Sequence, residues 1–225
     1  MKSLRIYILL ISFFIGVLVF AQTKPTDTIK NENPKQLFIG IDLLNPVVSF
    51  FSDKKNFNGY ISYKIKNRWV TFLGLGYEKN IYKKNDWDVE GKGIFGELGF
   101  NYILTNNYEK NGEGFYVGAR LGFSPFKQNI KKYPIKGMNS NNQIQPIGNG
   151  SLSESNVSSG WLGLIAGAKV QLGNSPFYID FMAEPKFILY SKKQDDIDNL
   201  VVPGYGKDKG NMNISLFWGI SCKLF

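Results

Sequence analysis

The chain has 225 residues, a formal net charge of +9, no histidine and one cysteine. The lack of histidine excludes imidazole zinc sites, Ser-His-Asp triads and histidine general bases, and a single cysteine excludes an intramolecular disulfide. An enzyme would have to use carboxylate, Lys, Ser or Tyr side chains instead. We therefore expect no catalytic residues, no metal site, no cofactor and no enzymatic activity.

The first residues have the organisation of a cleaved secretory signal. Lys2 and Arg5 precede an apolar run over residues 6–20, and Ala21 is a small residue that suits the position before a signal-peptidase cut. The run is shorter than the roughly 20 apolar residues that a transmembrane helix needs. We therefore predict that residues 1–21 are a signal peptide.

A polar segment separates this signal from the first predicted strand. Residues 22–35 are polar, contain proline and show no hydrophobic period, so we predict a flexible periplasmic leader. From Leu37 onward, apolar and polar residues alternate with the period of two that marks a strand with two different environments. We therefore predict that residues 36–225 form a β-barrel.

Eight segments show this alternation. In the clearest one, Phe115, Val117 and Leu121 alternate with Gly118 and Arg120. The segments are 37–43, 57–65, 71–78, 94–101, 115–124, 162–171, 177–182 and 213–224. The pattern predicts an all-β fold, an eight-stranded antiparallel up-and-down transmembrane β-barrel, with a ten-stranded barrel and a soluble lipocalin-like barrel as alternatives.

The lengths of the connections alternate between short and long, as an up-and-down barrel requires. Outer-membrane barrels have short periplasmic turns and longer extracellular loops. The short links are 66–67, 105–112 and 173–174, and the long links are 45–56, 79–91, 124–159 and 191–209. This orientation places Trp69 and Phe177 near the periplasmic rim, and Tyr77 and Phe123 near the outer rim, where aromatic rings are favoured.

Alternation alone does not separate a membrane barrel from a soluble barrel whose apolar face lines a ligand cavity. The one-sided loop lengths, the rim aromatics and the C-terminal strand favour the outer membrane. The residues Phe217, Gly219, Cys222 and Leu224 roughly resemble the C-terminal signal that the barrel assembly machinery reads. That machinery is therefore an expected partner during insertion.

The residues expected to point into the barrel carry nearly balanced charges. They are Asp42, Glu78, Glu97, Arg120, Lys169, Asp180 and Glu184, together with Lys64, Lys186 and Lys223. Buried charges are costly unless they are paired, and an eight-stranded barrel is just wide enough for side chains to fill. We therefore predict an ion-pair network in the lumen, with Arg120 and Glu97 as the preferred pair. A polar pore lining and a paired-carboxylate active site remain the alternatives.

The longest predicted loop, 124–159, is basic in its first part. It contains Lys127, Lys131, Lys132 and Lys136. A basic surface favours anions, so we predict that these lysines contact a polyanion such as the phosphates of lipopolysaccharide. Ordinary solvated loop charge is the alternative.

Several stretches together resemble a family of Gram-negative outer-membrane β-barrel proteins of unknown function. The matching stretches are Gly40–Leu43, Gly74–Glu78, Tyr116–Ser124, Asp198–Leu200 and Pro203–Tyr205. The resemblance spans nearly all of the mature chain, and its Asp-Asn-Leu and Pro-Gly-Tyr segment is the most distinctive part. It implies a barrel fold and an outer-membrane location, and it implies no catalytic residues.

The expected function follows from a closed scaffold with long basic connections. We expect a monomeric structural or interaction module that acts through its basic extracellular loops and contacts outer-membrane lipid, with no nucleic-acid partner. The alternative is a narrow pore or a barrel that binds a small ligand.

Overall fold

The computed structural model describes residues 35–52, 54–66, 68–105, 112–138, 144–195, 197–207 and 212–225. The predicted signal peptide lies outside these residues, and so does the predicted leader except for Lys35. Within the described residues the predicted barrel domain is almost entirely strand.

The described chain contains ten strands and a short helix. They are β1 (Leu37–Asp42), α1 (Leu44–Phe50), β2 (Lys55–Lys66), β3 (Trp69–Lys84), β4 (Trp87–Ile103), β5 (Gly114–Met138), β6 (Ile144–Gln171), β7 (Phe177–Ser191), β8 (Val201–Val202), β9 (Gly206–Lys207) and β10 (Met212–Lys223). No helix in these ranges is long and apolar enough to cross a membrane.

Eight of these strands close into one antiparallel barrel. Its order is β1-β10-β7-β6-β5-β4-β3-β2, so each strand pairs with its neighbour in the chain and β1 pairs with β10 to close the ring. The prediction of an eight-stranded up-and-down barrel is confirmed. The strands β8 and β9 form a separate two-stranded sheet, so the ten-stranded barrel is wrong.

Two connections that the sequence predicted as loops are strands. The strands β3 and β4 continue to a tight turn at Asn85 and Asp86, which both have positive φ, and β5 and β6 continue as far as Met138 and Ile144. The predicted loops 79–91 and 124–159 are therefore wrong. Beyond the apolar belt the outward positions become polar, as at Lys92 and Lys127, while inward positions such as Val89, Phe126 and Ile130 stay buried. The apolar-outward pattern that marks a membrane strand is therefore lost, although the backbone pairing continues.

The two faces of the barrel have opposite chemistry. The outward side chains of Ile41, Leu75, Leu98 and Leu121 are exposed, while the charged side chains predicted to point inward are mostly buried. A soluble barrel would need a polar exterior, so the lipocalin-like alternative does not fit this arrangement.

Apolar side chains pack in the lumen at two levels. The lower cluster, at the end of the barrel where β1 begins and β10 ends, consists of Val70, Ile103, Tyr116, Ile165 and Met182. The cluster near the long strand ends consists of Phe95, Phe126, Val157, Trp161, Val202 and Tyr205. The interior is therefore a packed core in which the polar groups lie between apolar layers.

The position opposite Trp161 has to be glycine. Gly122 pairs with Trp161 across β5 and β6, and a Cβ at Gly122 would lie 2.0 Å from Trp161 Cε2. Because Trp161 is fully buried, the ring has little room to move.

We predict that Gly122→Ala destabilises the barrel by about 1–3 kcal/mol through overpacking, measured as a lower urea midpoint of tryptophan fluorescence in phospholipid vesicles.

Gly148 provides the matched control for this substitution. A Cβ at Gly148 would meet nothing within 4 Å, so Gly148→Ala should leave the midpoint unchanged or raise it slightly. Equal midpoints for Gly122→Ala and Gly148→Ala would contradict the packing argument.

Candidate functional site

A buried carboxylate organises the lower part of the lumen. Lys169 and Asp180 face each other on β6 and β7, and Lys169 Nζ lies 3.2 Å from Asp180 Oδ2. The hydroxyls of Tyr60 and Tyr116 donate to the same carboxylate at 3.1 Å and 2.6 Å. The ammonium of Lys169 also lies 4.1 Å from the ring centroid of Phe38. Both charges are thus compensated inside the barrel.

A second cluster of charges lies further along the lumen. Lys186 Nζ lies 2.7 Å from Glu97 Oε1 and 3.3 Å from Glu184 Oε2. Arg120 Nη1 lies 3.7 Å from Glu97 Oε2, and its guanidinium sits 3.4 Å from the ring centroid of Phe72. Two cations therefore face two carboxylates. The shortest contact of Glu97 is with Lys186, while the preferred Arg120–Glu97 pair is longer.

Glu78 is a fourth buried carboxylate that sets the lumen geometry. It accepts hydrogen bonds from Asn56 Nδ2 at 3.0 Å and from Asn80 Nδ2 at 3.1 Å. Lys54 Nζ lies 3.4 Å away, and the backbone N–H of Gly204 donates at 3.0 Å. Glu78 therefore links the strands of the barrel to the segment between β7 and β10.

That segment folds into the barrel, and we call residues 199–207 the lumen plug. Val201, Val202 and Tyr205 are completely or almost completely buried. Val202 and Tyr205 lie among the inward side chains of Phe95 and Trp161 in the upper apolar cluster. The strands β8 and β9 form the two sides of the plug, and its turn contains Pro203 and Gly204.

The tip of the plug is tied to the charged lumen. The carbonyl of Gly204 accepts from Lys186 Nζ at 2.8 Å, and the carbonyl of Tyr205 accepts from Asn213 Nδ2 at 2.7 Å. Gly204 has φ of +79°, and a Cβ there would lie 2.5 Å from the ring of Phe95. Only glycine meets both the conformation and the space at this turn.

Asn199 holds the beginning of the plug against the barrel wall. Its side-chain amide donates to the carbonyl of Lys192 at 2.9 Å, to Ser191 Oγ at 2.9 Å and to Ser159 Oγ at 3.3 Å. The Asp-Asn-Leu and Pro-Gly-Tyr motif thus supplies the anchor and the turn of the plug. The apolar pair Val201-Val202 inside a polar connection was the available sequence signal that this segment turns inward.

The predicted extracellular loop 191–209 is therefore wrong over its central part. Its length suggested a loop outside the membrane, but its apolar residues are buried inside the barrel and its turn binds buried charges. Burial of three large side chains offsets the cost of bringing the backbone into the lumen, where Gly204 finds partners for both its N–H and its carbonyl.

A cavity of about 230 Å³ remains beside the plug. Its lining includes Lys54, Arg120, Lys186, Glu97 and Glu184. Pockets for drug-sized ligands have volumes of roughly 300–1,000 Å³, so this space is below that range, and its charged lining suits bound water. Within the described residues, no group of three or more His, Cys, Asp and Glu side chains is placed to hold a metal ion.

One predicted member of the lumen network has a local role instead. Asp42 is buried, but its carboxylate accepts from the backbone N–H of Leu44 at 2.8 Å and from the side-chain amide of Asn45. It therefore fixes the beginning of α1. The remaining predicted members of the network, Glu78, Glu97, Arg120, Lys169, Asp180 and Glu184, are brought into the three clusters described above.

The lysines predicted as loop contacts for a polyanion lie on β5. Three of them are paired with acids on the outside of the barrel: Lys127 with Glu154, Lys131 with Glu90, and Lys132 with Asp86, each at 3.0 Å. Lys136 is exposed near the end of the strand. Their placement in a loop is wrong, and their contact with a polyanion stays a prediction.

Comparisons with known proteins give a family and a set of barrel structures. A sequence model of DUF6048, a domain of unknown function, matches residues 1–224, and no curated protein matches the chain. Similar structures include Neisserial surface protein A (NspA), with 16% identity over 84% of this chain and 96% of that chain and a TM-score of 0.41. Another is the N-terminal β-barrel domain of Pseudomonas aeruginosa OprF, with 16% identity over 87% of this chain and 100% of that chain and a TM-score of 0.36. A third is Ail, the attachment invasion locus protein of Yersinia pestis, with 12% identity over 84% of this chain and 96% of that chain and a TM-score of 0.37.

Lys186 links two buried carboxylates to the lumen plug, so replacing its ammonium group by an apolar group should lower the stability of the barrel. We predict that Lys186→Met destabilises the barrel by about 3–5 kcal/mol, because Glu97 and Glu184 lose their closest cation. The second change in Lys186→Met/Glu97→Gln removes one of the two charges and should recover part of this loss. The measurement is urea unfolding in phospholipid vesicles.

Lys136→Met is the control for this prediction, because Lys136 is exposed and its replacement should change the stability by less than about 0.5 kcal/mol. An equally small effect of Lys186→Met would show that the ion pairs around Lys186 do not support the fold.

Proposed function

We propose that this chain, which belongs to the DUF6048 family of domains of unknown function, is a closed outer-membrane β-barrel that serves as an interaction module at the cell surface. The observation that carries this proposal is the contrast between the two ends of the strands. The lumen is filled by ion pairs and the plug, while β5 and β6 continue far beyond the apolar belt.

The outer surface of the barrel supports a membrane location. On β5 the exposed apolar residues run from Phe115 through Val117 and Leu121 to Phe123, which is a stretch of nine residues. A tilted strand needs about 9–11 residues to cross the hydrocarbon core. Beyond Phe123 the next outward side chains on the same face are Pro125 and Lys127, so the apolar belt ends there.

The outer end of the paired strands β5 and β6 is the element that we assign to the interaction, and we call residues 131–138 with 144–151 the arm. Its β5 portion is about 25 Å long at roughly 3.3 Å per residue. Near its tip, Ile135, Met138 and Ile147 are exposed. Exposed apolar side chains on a projecting hairpin are typical of a contact surface.

The packing of the lumen argues against the alternative of a narrow pore. The plug and the charged clusters occupy the upper part, and Val70, Ile103 and Tyr116 belong to a buried apolar cluster below them. Water and ions would have to cross two packed layers. An open channel requires a wider barrel or an unfilled interior.

We predict that the purified protein shows no stepwise conductance in planar lipid bilayers. Replacing residues 200–206 by a Gly/Ser segment of the same length should not open a channel either, because the lower apolar cluster remains. Conductance steps in the native chain would replace the closed-barrel proposal by the pore. Steps only in the variant would show that the plug alone closes the lumen.

The arm can be tested with a photo-reactive amino acid placed in living cells. At Ile147, which is 64% exposed near the arm tip, we expect covalent adducts with a protein or polysaccharide outside the membrane. At Leu98, which is 60% exposed on the barrel wall, we expect adducts with lipid only. The two sites are matched in exposure, so identical adducts at both sites, or none at Ile147, would contradict an interaction role for the arm.

A further inference from the structure

Four lysines lie side by side across the outside of the barrel. In the strand registers Lys55 faces Lys79, Lys79 faces Lys92, and Lys92 faces Lys127. We call these four residues the lysine row. All four side chains reach solvent, and adjacent strands are only about 4.8 Å apart. Like charges directly opposite each other destabilise a sheet, so anions bound near these lysines would stabilise the arrangement.

The lysine row lies just outside the apolar belt. Each lysine of the row on β2, β3 and β4 is followed, two residues along its strand toward the membrane, by an exposed apolar or aromatic residue. These residues are Phe57, Tyr77 and Ile94, and they face one another across the strands. Two residues of strand correspond to about 7 Å. The polar headgroup layer occupies roughly 5–7 Å on each side of the hydrocarbon core. The ammonium groups therefore lie at the depth of lipid headgroups.

The protein neutralises this surface only in part. Glu90 Oε1 lies 2.9 Å from Lys79, and Glu90 Oε2 lies 3.0 Å from Lys131. The carboxylate of Glu154 lies 2.7 Å from Lys92 and 3.0 Å from Lys127. Among the described residues, the row and Lys131 carry five positive charges and form ion pairs with two carboxylates, which leaves three positive charges.

The two carboxylates stay ionised at neutral pH. Hydrogen bonds from Lys79 and Lys131 lower the pKa of Glu90, and hydrogen bonds from Lys92 and Lys127 lower the pKa of Glu154. Both groups therefore already contribute their full negative charge. Within the described residues, Glu90 and Glu154 are the carboxylates that form ion pairs with these lysines, so a bound anion would supply further compensation.

We propose that the lysine row binds the phosphate groups of an outer-leaflet lipid whose acyl chains pack on Phe57, Tyr77 and Ile94. This inference rests on the proposed outer-membrane location. Ammonium groups bind phosphate as point charges, and the apolar residues next to the row are suited to hydrocarbon. A soluble polyanion would contact the lysines alone, whereas a lipid contacts both the lysines and the apolar side chains beside them.

The proposal can be tested with lipid A that carries two phosphates as the probe. Native mass spectrometry of the full mature chain in a non-ionic detergent measures how many lipid A molecules bind. We expect the phosphorylated lipid to bind and the same lipid without phosphates to bind at least tenfold more weakly. One lysine near a membrane surface changes the affinity about fivefold. The variant Lys79→Gln/Lys127→Gln should therefore bind on the order of 25-fold more weakly.

Two further variants separate this site from a general effect of charge. Lys84→Gln/Lys136→Gln removes the same charge from exposed positions further along the strands, and its affinity should stay within about twofold of the native chain. Glu154→Gln removes a competing carboxylate from Lys92 and Lys127. Its affinity for phosphorylated lipid A should rise by about fivefold, which a damaged fold would not produce.

The outcomes distinguish the inference from the function on which it rests. Three results would overturn the lipid site. They are an equal loss of lipid A affinity in the two double-lysine variants, equal binding of the lipid without phosphates, and displacement of lipid A by inorganic pyrophosphate at a similar concentration. Insertion into phosphatidylcholine vesicles, seen as a heat-dependent gel shift, is a separate measurement. Failure to insert would overturn the proposed function itself.

Discussion

Closure of the sheet is the constraint on which the rest of the structure depends. In hydrocarbon no water is present to satisfy backbone N–H and C=O groups, so every strand must have a partner on both edges. The pairing of β1 with β10 provides this, and it extends to the chain end, where Leu37 N–H donates to the carbonyl of Phe225 at 3.1 Å and Leu224 N–H donates to the carbonyl of Leu37 at 2.8 Å. Once eight strands close, the interior width is set, and every second residue has to fit inside it.

The fixed width explains why glycine and aromatic residues alternate across the lumen. A Cβ at Gly40 would lie 2.4 Å from Tyr60 Cζ, and a Cβ at Gly76 would lie 2.4 Å from Phe95 Cζ. Each ring therefore occupies the space that a neighbouring side chain would need. The same rings cover the charges, since Tyr60 donates to Asp180. Space filling and charge compensation are thus performed by the same residues.

The sequence predicted those features that depend on strand period alone. Alternation located the eight strands and the inward charges, because a barrel strand in a membrane has one apolar and one polar face. It could not give the partner of each charge, since Lys186 lies 89 positions from Glu97 and meets it only through closure and strand tilt. Arg120 and Glu97 lie on neighbouring strands, so their pairing could be predicted from the sequence.

Features at the outer end of the barrel were harder to predict, because the membrane no longer imposes a pattern there. The arm lost its alternation, and the plug returned to the lumen through contacts with residues far away in the chain, such as Gly204 with Glu78. Asp42 lies at the same end and binds the beginning of α1 instead of a lumen cation.

The plug and the charged lumen form one unit, because Lys186 binds both Glu97 and the carbonyl of Gly204. Moving the plug would leave the buried ammonium of Lys186 with one partner fewer and the buried carboxylate of Glu78 without the N–H of Gly204, and the loss of a partner is costly for a buried charge. The charged residues of the lumen therefore stabilise the barrel and hold the plug in place. The outward side chains of the arm and of the lysine row take no part in these lumen contacts, and it is there that we propose contacts with other molecules.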